Sequence, residues 1–427
     1  MKSTLKFMLL VFCCLSFGGA MAQGEFITTW KTDNSGVSNS NEITIPTGSG
    51  TFNYTVDWGD GSSSTHTGDA THTYATPGTY TVKISGAFPH LNFSGVKDNL
   101  KLLSVEQWGD QVWGSMEYSF YDCDKVVFNA TDVPDLSQVT TMEGMFMRAG
   151  NFNQDIGNWD VGNVVNMKDL FYNANRFNQD ISGWDVGNVT NMVRMFWSTN
   201  DFNQDISGWN VAKVTDMYQM FMTAAAFNQD LSAWNVSQVT RMTNMFEDAG
   251  LSNDNYDKLL LGWSARTLKS NVAFGASNTY CMGAAGRDKL IMTYGWNITD
   301  AGKDYTTACE EQYFITKWDT RIAGKTASNR IEIPIGDGAF NYFVDWGDGQ
   351  GSRHSGTATH TYSTSGIKTI KISGNFPHLK FASTGLDNNK LLSVEQWGSQ
   401  VWGSMESMFM GCSNMRVNAT MCPIFLK

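Results

Sequence analysis

Histidine and cysteine are absent from the middle of this chain. Residues 131–250 contain neither, although the full 427 residues hold six histidines and seven cysteines. This segment therefore cannot build a histidine-based triad, a cysteine nucleophile or a metal site with imidazole or thiolate ligands. The remaining enzymatic option is two carboxylates in different environments, whereas the aspartates here recur in equivalent ones. We expect a protein that is not an enzyme.

Positive charge is also scarce. Lysine and arginine total 30 against 41 aspartates and glutamates, and the formal net charge is -11. An acidic chain is a poor partner for nucleic acid or for an anionic membrane surface. Beyond the N-terminus, no stretch has the roughly 20 apolar residues that a membrane-spanning helix needs. We expect no nucleic-acid partner and no transmembrane segment.

The first 22 residues have the pattern of a signal peptide. Two lysines precede an apolar stretch at residues 7–15, and the small residues Ala20 and Ala22 suit cleavage before Gln23. This pattern predicts export, and therefore a place at the cell surface or outside the cell.

Five cysteines remain after such a cleavage. Disulfides are common in exported proteins, and the pair Cys281–Cys309 is the candidate that we favour. The connectivity cannot be deduced from sequence, and an odd number leaves at least one thiol unpaired.

The most regular feature of the chain is a repeat with a period of 25 residues. The sequence Phe-Asn-Gln-Asp-Ile occurs at residues 152–156, 177–181 and 202–206, and returns with Leu for Ile at 227–231. In each unit a Trp, a Val and a Met follow at fixed positions, and a Met-Phe or Leu-Phe pair comes after that Met. A fixed period of this length indicates a stacked array in which each unit buries its apolar face on its neighbours.

Within one unit, strand alternation would place Phe152, Gln154 and Ile156 on one face and Asn153 and Asp155 on the other. The following Val-Thr-x-Met-x-x-Met-Phe run has apolar residues three to four apart, which predicts a short helical or 3₁₀ turn. One strand and one such turn per unit predict a parallel right-handed solenoid. The Met-Phe stripe should be core, because Met fills irregular gaps well.

The outward-pointing positions are the candidate site. They form two columns, Asn153, Asn178, Asn203 and Asn228, and Asp155, Asp180, Asp205 and Asp230. Stacked carboxylates repel one another unless water, Asn neighbours or a cation screen them. Three alternatives stay open: a solvated ladder that bonds the backbone of the turns, a calcium-bridged ladder with the four aspartates as weak ligands, or part of a ligand-binding face. No other cofactor is expected.

The chain also repeats on a larger scale. Residues 56–61 return as residues 344–349, and residues 102–109 as residues 391–398. Each large unit would therefore hold a globular module followed by an array. After residue 420 the second unit departs from the first, and we interpret the departure as a frameshift or a truncation.

The globular module has short strands of period two between turn signals, which predict a β-sandwich. Its motifs are Tyr-Thr-Val-Asp-Trp-Gly-Asp-Gly at 54–61, His-Thr-Tyr at 72–74 and Pro-Gly-Thr-Tyr-Thr-Val at 77–82. They resemble the PKD domain, an immunoglobulin-like sandwich common in bacterial surface proteins. The second copy resembles it as well, but has Ser365 where the family usually has Pro.

Residues 136–250 resemble the repeats of 25–26 residues found in mycoplasma lipoproteins, listerial surface proteins and BspA-like leucine-rich-repeat adhesins. The match rests on motifs such as Met192-x-x-Met195-Phe196 and Phe-Asn-Gln-Asp-Ile-Ser at 202–207. The resemblance implies a leucine-rich-repeat-like architecture and a role at the cell surface, with adhesion or matrix binding as the usual function.

Together these patterns predict a mainly β protein with short helices. The expected order is a signal peptide (1–22), a PKD-like sandwich (23–86), a connector and N-terminal cap (87–135), the solenoid (136–250), a C-terminal cap with two helices (251–302), a second PKD-like sandwich (303–374) and a truncated second array (375–427). We expect an exported binding or adhesion module for extracellular protein or polysaccharide. The alternative is a structural stalk without a specific ligand.

Overall fold

A computed structural model of the chain describes residues 24–95, 97–304, 312–381, 387–420 and 422–425. The predicted signal peptide and Cys309 lie outside these ranges. The described chain is mainly β, as predicted, with two α-helices among its described residues. Neither helix is long and apolar enough to cross a membrane.

The first module is a sandwich of two sheets. Its strands are β1 (Phe26–Lys31), β2 (Glu42–Ile45), β3 (Asn53–Asp57), β4 (Ser63–His66), β5 (Ala70–Thr73), β6 (Thr79–Ala87), β7 (Leu102–Gln107) and β8 (Val127–Phe128). Strands β2 and β5 form one sheet, and the other has the order β4-β3-β6-β1-β7-β8. In β3, Tyr54 and Val56 are buried while their neighbours are exposed, the alternation that a sheet with one buried face requires.

The larger sheet extends past residue 86 into the predicted connector. Strand β7 pairs antiparallel with β1, with Thr28 opposite Val105, and β8 pairs parallel with β7, with Val105 opposite Phe128. Residues 99–101 form a 3₁₀ turn between β6 and β7. The sandwich and the connector are therefore one folded body, which leads directly into the array.

A buried ion pair holds this junction together. Lys101 and Asp98 are both fully buried, with 3.9 Å between Nζ and Oδ1. Lys101 Nζ donates to the Glu42 carbonyl at 2.8 Å, and Asp98 accepts from the Ser38 hydroxyl at 2.6 Å and the Thr44 N–H at 2.8 Å. Removing one partner would leave a buried charge uncompensated, which costs about 3–5 kcal/mol.

The array is a solenoid held by a ladder of parallel bridges. One bridge per coil runs through Thr141, Asn166, Asn191, Asp216 and Arg241. In each coil every second N–H donates to a carbonyl of the next coil, as Phe146 does to Leu170 at 2.9 Å. The intervening N–H groups donate back within the coil, as Met145 does to Met142 at 3.2 Å.

One local expectation was wrong, because residues 152–156 form no strand. The Met-x-x-Met-Phe run, predicted as a short helical or 3₁₀ turn, is a series of turns closed by bonds from residue i+3 to residue i, such as Met145 to Met142. In the last coil the run is instead a strand, Arg241–Phe246. The inter-coil ladder therefore lies on the Met-Phe segment. The alternation predicted for 152–156 is nevertheless present in burial, because Phe152 and Ile156 are buried while Asn153 and Asp155 are exposed.

Columns of identical side chains fill the solenoid. Phe146, Phe171, Phe196, Phe221 and Phe246 stack with centroids 5.4 to 5.6 Å apart. The indole N–H groups of Trp184, Trp209 and Trp234 each bond a carbonyl of the preceding coil, as Trp209 does to Ile181 at 3.1 Å. The Met-Phe stripe is buried core, which confirms the prediction. One continuous apolar cluster runs from Phe26 in the sandwich to Trp296.

The end of the array carries the two predicted helices. They are α1 (Asn253–Ser264) and α2 (Ala284–Tyr294), and β9 (Arg241–Phe246), β10 (Ala273–Ala276) and β11 (Asn297–Thr299) form a parallel sheet beside them. Helix α1 continues the columns, because Trp263 donates to the Leu231 carbonyl at 3.0 Å. Cys281 is disulfide-bonded; its pairing with Cys309 remains a prediction.

The second unit repeats the eight strands of the first and adds a short parallel pair, β19 and β21. Its strands are β12 (Phe314–Asp319), β13 (Arg330–Ile333), β14 (Asn341–Asp345), β15 (Gly351–His354), β16 (Ala358–Thr361), β17 (Ile367–Asn375), β18 (Leu391–Gln396), β19 (Val401–Trp402), β20 (Arg416–Val417) and β21 (Ile424–Phe425), with a 3₁₀ turn at Asp387–Lys390. The main sheet has the order β15-β14-β17-β12-β18-β20, the counterpart of the first sheet. Lys390 and Asp387 repeat the buried ion pair.

Candidate functional site

The predicted asparagine column is a hydrogen-bonded ladder. Asn153, Asn178, Asn203 and Asn228 form what we call the asparagine ladder. The Oδ1 atom of Asn178 accepts from the Asn203 N–H at 3.0 Å and from the Gln204 side-chain amide at 2.9 Å. The same two bonds recur at Asn153 and Asn203. Both lone pairs of each of these oxygens are therefore used inside the array.

The ladder continues into the helical end. Asn228 Oδ1 accepts from the Ser252 N–H and from the Asn255 side-chain amide, each at 2.9 Å. Ser252 is also the N-cap of α1, since its hydroxyl accepts from the Asn255 N–H at 3.2 Å. The first turn of α1 thus replaces the next coil as the partner of the asparagine ladder.

The aspartate column caps turns. Asp155, Asp180, Asp205 and Asp230 each accept a bond from the N–H two residues on, at 2.9 to 3.0 Å. Hydrogen bonds from the Ser207 hydroxyl and N–H hold the pKa of Asp205 below its usual range. This geometry is that of the backbone-bonding alternative. In the part of the chain that the structure describes, no three acidic, His or Cys side chains converge on a metal position.

A different side of the solenoid changes from coil to coil. It carries four columns around the Met-Phe segment: Glu143, Lys168, Val193, Tyr218 and Thr243; Gly144, Asp169, Arg194, Gln219 and Asn244; Met147, Tyr172, Trp197, Met222 and Glu247; and Arg148, Asn173, Ser198, Thr223 and Asp248. The first, second and fourth columns have five different residues in five coils, and the third column has four different residues. We call these columns the variable face.

In the second and fourth columns of the variable face, those that begin at Gly144 and Arg148, the backbone is left-handed whichever residue type is present. Arg194 has φ 53°, Gln219 54°, Ser198 56° and Thr223 57°. Outside glycine this conformation costs about 1–2 kcal/mol per residue. The inter-coil bonds impose it, as when the Thr223 N–H donates to the Glu247 carbonyl at 2.8 Å. The backbone of the variable face is thus fixed by the stack and not by its side chains.

The centre of the variable face is aromatic. The rings of Tyr172 and Trp197 meet edge to face with centroids 4.9 Å apart. The Arg194 guanidinium lies 5.6 Å from the Tyr172 centroid and 5.8 Å from that of Trp197. These side chains are half-buried, so their edges remain available to a partner.

Charges on the variable face are largely paired with one another. Arg194 makes a bidentate bond to Asp169, with both N···O distances 2.7 Å. Asp169 is buried, and desolvation raises the pKa of its carboxyl. Lys168 binds Glu143 at 2.6 Å. The centre of the face is therefore close to neutral, in a chain that is acidic as a whole.

The sequence contained a signal for the variable face that periodicity alone does not reveal. Aligning the coils shows positions 143, 144, 147 and 148 changing while Phe-Asn-Gln-Asp does not. Positions that every coil needs for stacking are constrained alike in all coils. The variable positions are not, although Asp169, Val193 and Gln219 among them are buried. The residues that are identical in every coil belong to the scaffold, and the residues that differ from coil to coil belong to the candidate site.

Comparisons with known proteins support both parts of the architecture. Residues 27–86 match the family described as PKD domain. The part of the first sandwich from β1 to β6 is therefore similar to a PKD domain. Residues 114–217 and 186–273 match the family described as Mycoplasma protein of unknown function, DUF285. The BspA-like and leucine-rich-repeat designations remain a resemblance. No curated protein and no solved structure matches the chain.

The DUF285 match is wider than the predicted solenoid of residues 136–250. It begins at residue 114 and ends at residue 273. This agrees with the structure, in which the N–H groups of Met116 and Tyr118 already donate to the coil that follows. The predicted N-terminal cap therefore contains a repeat coil of its own.

Proposed function

We propose that this chain is an exported bacterial cell-surface protein that binds a protein partner through the variable face. One observation carries the proposal: the variable face differs from coil to coil on a backbone that does not. A position required for stacking must satisfy the same neighbours in every coil. Side chains that are free of that requirement can be specific for a ligand.

The chemistry of the variable face favours a protein over a glycan. Trp, Tyr and Arg are the residue types that dominate binding energy at protein interfaces, and Trp197, Tyr172 and Arg194 stand together at its centre. Because Arg194 is already paired with Asp169, a partner need not bring a matching charge there. A polysaccharide is the alternative ligand.

A surface location is supported by two features. The PKD domain is a module typical of extracellular proteins, and residues 1–22 have the pattern of an export signal. We also propose that the chain is not an enzyme. The repeated aspartates sit in equivalent turns, whereas a two-carboxylate site needs two different environments.

A structural stalk without a ligand is the second candidate. The feature that favours it is the continuous apolar cluster from Phe26 to Trp296, which joins the sandwich and the array in one packed core. The two helices would then serve only to cap the stack, a role supported by the way α1 extends the Trp and Asn columns.

The test is a screen of the purified chain against arrays of extracellular-matrix proteins and of glycans. Saturable binding to a protein that is lost in Trp197→Ala and in Tyr172→Ala supports the proposal. The matched control is Asn158→Ala, an exposed residue outside the variable face. Binding to a glycan and to no protein would mean that the partner is a polysaccharide. No saturable binding, or binding that both variants retain, favours the stalk.

A further inference from the structure

The second sandwich differs from the first at one place on the outer face of its main sheet. The positions concerned hold small polar residues in the first sandwich, and an aromatic ring, a glycine and a cation in the second. They are Thr55, Ser63 and Thr65 in the first, and Phe343, Gly351 and Arg353 in the second. Phe343 and Arg353 lie opposite each other on β14 and β15. A Cβ at Gly351 would overlap the Phe343 ring, so the ring and the glycine fit together as a pair.

This altered face lies against the helical end of the array. The Tyr313 hydroxyl donates to the Cys281 carbonyl at 3.0 Å, and these two buried residues form a small cluster with Met282 packed beside it. Phe343 is half-buried, whereas its counterpart Thr55 is exposed. The residues that distinguish the second sandwich therefore stand where it meets the array.

The contact leaves a cleft between α2 and the β14–β15 hairpin. Its larger part is a cavity of about 560 Å³, and a smaller cavity of about 270 Å³ adjoins it, since Asp288 and Phe343 line both. Each wall supplies polar and charged side chains to the larger cavity, namely Asp288, Lys289 and Thr293 from α2, and Gln350 and Arg353 from the hairpin. Cavities of this size between two folded bodies are a common place for ligand sites.

Arg353 brings an unpaired charge to the larger cavity. Its Nη1 donates to Asn341 Oδ1, and no carboxylate among the described residues forms an ion pair with it. The Arg353 side chain is half-buried, and desolvation lowers the pKa of its guanidinium, as expected for a cation held away from water without an anion. Its Nε and Nη2 groups form the fork that fits a carboxylate or another oxyanion.

The rest of the lining suits a ring that carries hydroxyl groups. The Asp288 carboxylate can accept from hydroxyls, and Thr293 and Gln350 can both donate and accept. The negative face of the Phe343 ring attracts the slightly positive C–H groups of a sugar. One carboxylate stands against the two cations Lys289 and Arg353, so the larger cavity is net positive in an acidic chain.

We propose that this cleft binds an acidic sugar, with Arg353 holding its carboxylate or sulfate and Phe343 lying against its ring. The site is separate from the variable face. Because one wall is α2 and the other is the second sandwich, a bound sugar would also stabilise the contact between the two bodies.

The experiment titrates the purified chain by calorimetry with three disaccharides: digalacturonic acid, digalactose as its neutral match, and sulfated digalactose. We expect saturable binding of an acidic form at one site. The neutral form should bind at least about ten-fold more weakly, because it lacks the charge-assisted bonds to Arg353. Binding of digalacturonic acid would identify the anion as a carboxylate, and binding of the sulfated form alone would identify it as a sulfate.

Arg353→Thr introduces the residue type that the first sandwich has at this position, so the chain should fold, which thermal melting checks. It should weaken binding of the acidic form at least about ten-fold. Arg330→Thr is the matched control, because Arg330 is an exposed arginine on β13, in the other sheet of the same sandwich, and binding should be unchanged.

Three results would overturn the proposal: no binding of either acidic disaccharide, equally tight binding of the neutral one, or binding that Arg353→Thr leaves unchanged. Binding of an acidic disaccharide that Trp197→Ala abolishes would place the sugar on the variable face and would overturn it as well.

Discussion

The two sides of the array hold neighbouring coils together in different ways. Along the asparagine ladder, a side-chain oxygen of each coil binds the next coil, as Asn178 binds Asn203. On the variable face the backbone groups carry the inter-coil bonds, as when the Asp169 N–H donates to the Val193 carbonyl at 2.9 Å. Side chains are therefore indispensable along the asparagine ladder. On the variable face most are replaceable, with the buried Asp169–Arg194 pair as an exception.

This difference explains why one side repeats and the other does not. Replacing such an Asn removes the one side-chain oxygen that accepts two bonds from the next coil and leaves a backbone N–H of that coil unpaired, so every coil must keep it. Replacing a residue such as Val193 or Tyr218 leaves the backbone bonds in place. A stacked array can thus vary one surface without losing its stability, provided that the other surface stays constant.

The largest expected contrast is between two aromatic residues five positions apart. Phe202 is fully buried and stacks 4.2 Å from Phe196, so Phe202→Ala should cost about 3–5 kcal/mol. Trp197→Ala on the variable face should cost about 1 kcal/mol or less. Native-state hydrogen exchange of the coil amides measures both. Equal costs would mean that the variable face is part of the scaffold.

The next contrast concerns polar residues. Asn203 accepts from the Asn228 N–H at 2.9 Å and the Gln229 side-chain amide at 2.7 Å. Asn203→Ala leaves the Asn228 N–H without a protein partner, while the Gln229 amide keeps its 2.9 Å bond to the Asn203 carbonyl. The change should cost about 1–2 kcal/mol in the free energy of opening that coil. Asn158→Ala is the control and should be neutral. If the two variants are equally stable, the asparagine ladder does not hold the coils together.

Only part of this structure can be predicted from the sequence. The period of 25 residues predicts stacking, and alternation predicts that Phe152 is buried and Asn153 exposed. The sequence could not show which segment carries the ladder, because nothing about Arg194 or Thr223 favours a left-handed backbone. Only the neighbouring coils impose it.

The same limit applies to the sandwich. The apolar residues of Leu102–Gln107 predict a strand, but its partner β1 lies more than 70 residues away, and local patterns carry no information about so distant a pairing. The candidate site was missed for a related reason. Its residues, from Lys168 to Trp197, are defined by lacking a common pattern, whereas a search for motifs selects the residues that have one.

A smaller effect tests the imposed backbone. Thr223 is β-branched and has φ 57°, so Thr223→Gly should be more stable than Thr223→Ala by about 1 kcal/mol. Thr215 bonds the neighbouring coil without a positive φ, and there the order should reverse, with Ala more stable than Gly by about 0.5–1 kcal/mol. Thermal unfolding of the four variants measures the two differences. The same order at both positions would mean that the left-handed conformation carries no strain.

The smallest expected effect depends on pH and concerns the aspartate column. Hydrogen bonds from Ser182 and Ser207 hold the pKa values of Asp180 and Asp205 below their usual range in the folded chain. A carboxyl with a depressed folded pKa stabilises the fold above its unfolded pKa of about 3.9, and that stability is lost as the pH falls through the folded pKa. The melting temperature should therefore fall on acidification below about pH 4.

The doubly substituted chain Asp180→Asn/Asp205→Asn should show a shallower fall over the same pH range. Asn can take the same turn, since Asn210 Oδ1 already accepts from the Ala212 N–H at 3.3 Å, and it does not titrate. At neutral pH the two chains should melt within about 1 °C of each other, because surface changes of this kind have small effects. Melting curves between about pH 2 and pH 7 give both comparisons. An unchanged acid slope would mean that these turns do not depend on the charge of the column, and that the residual slope comes from carboxyls elsewhere, such as Asp60, whose pKa is lowered to about 2 by Ser62 and His72.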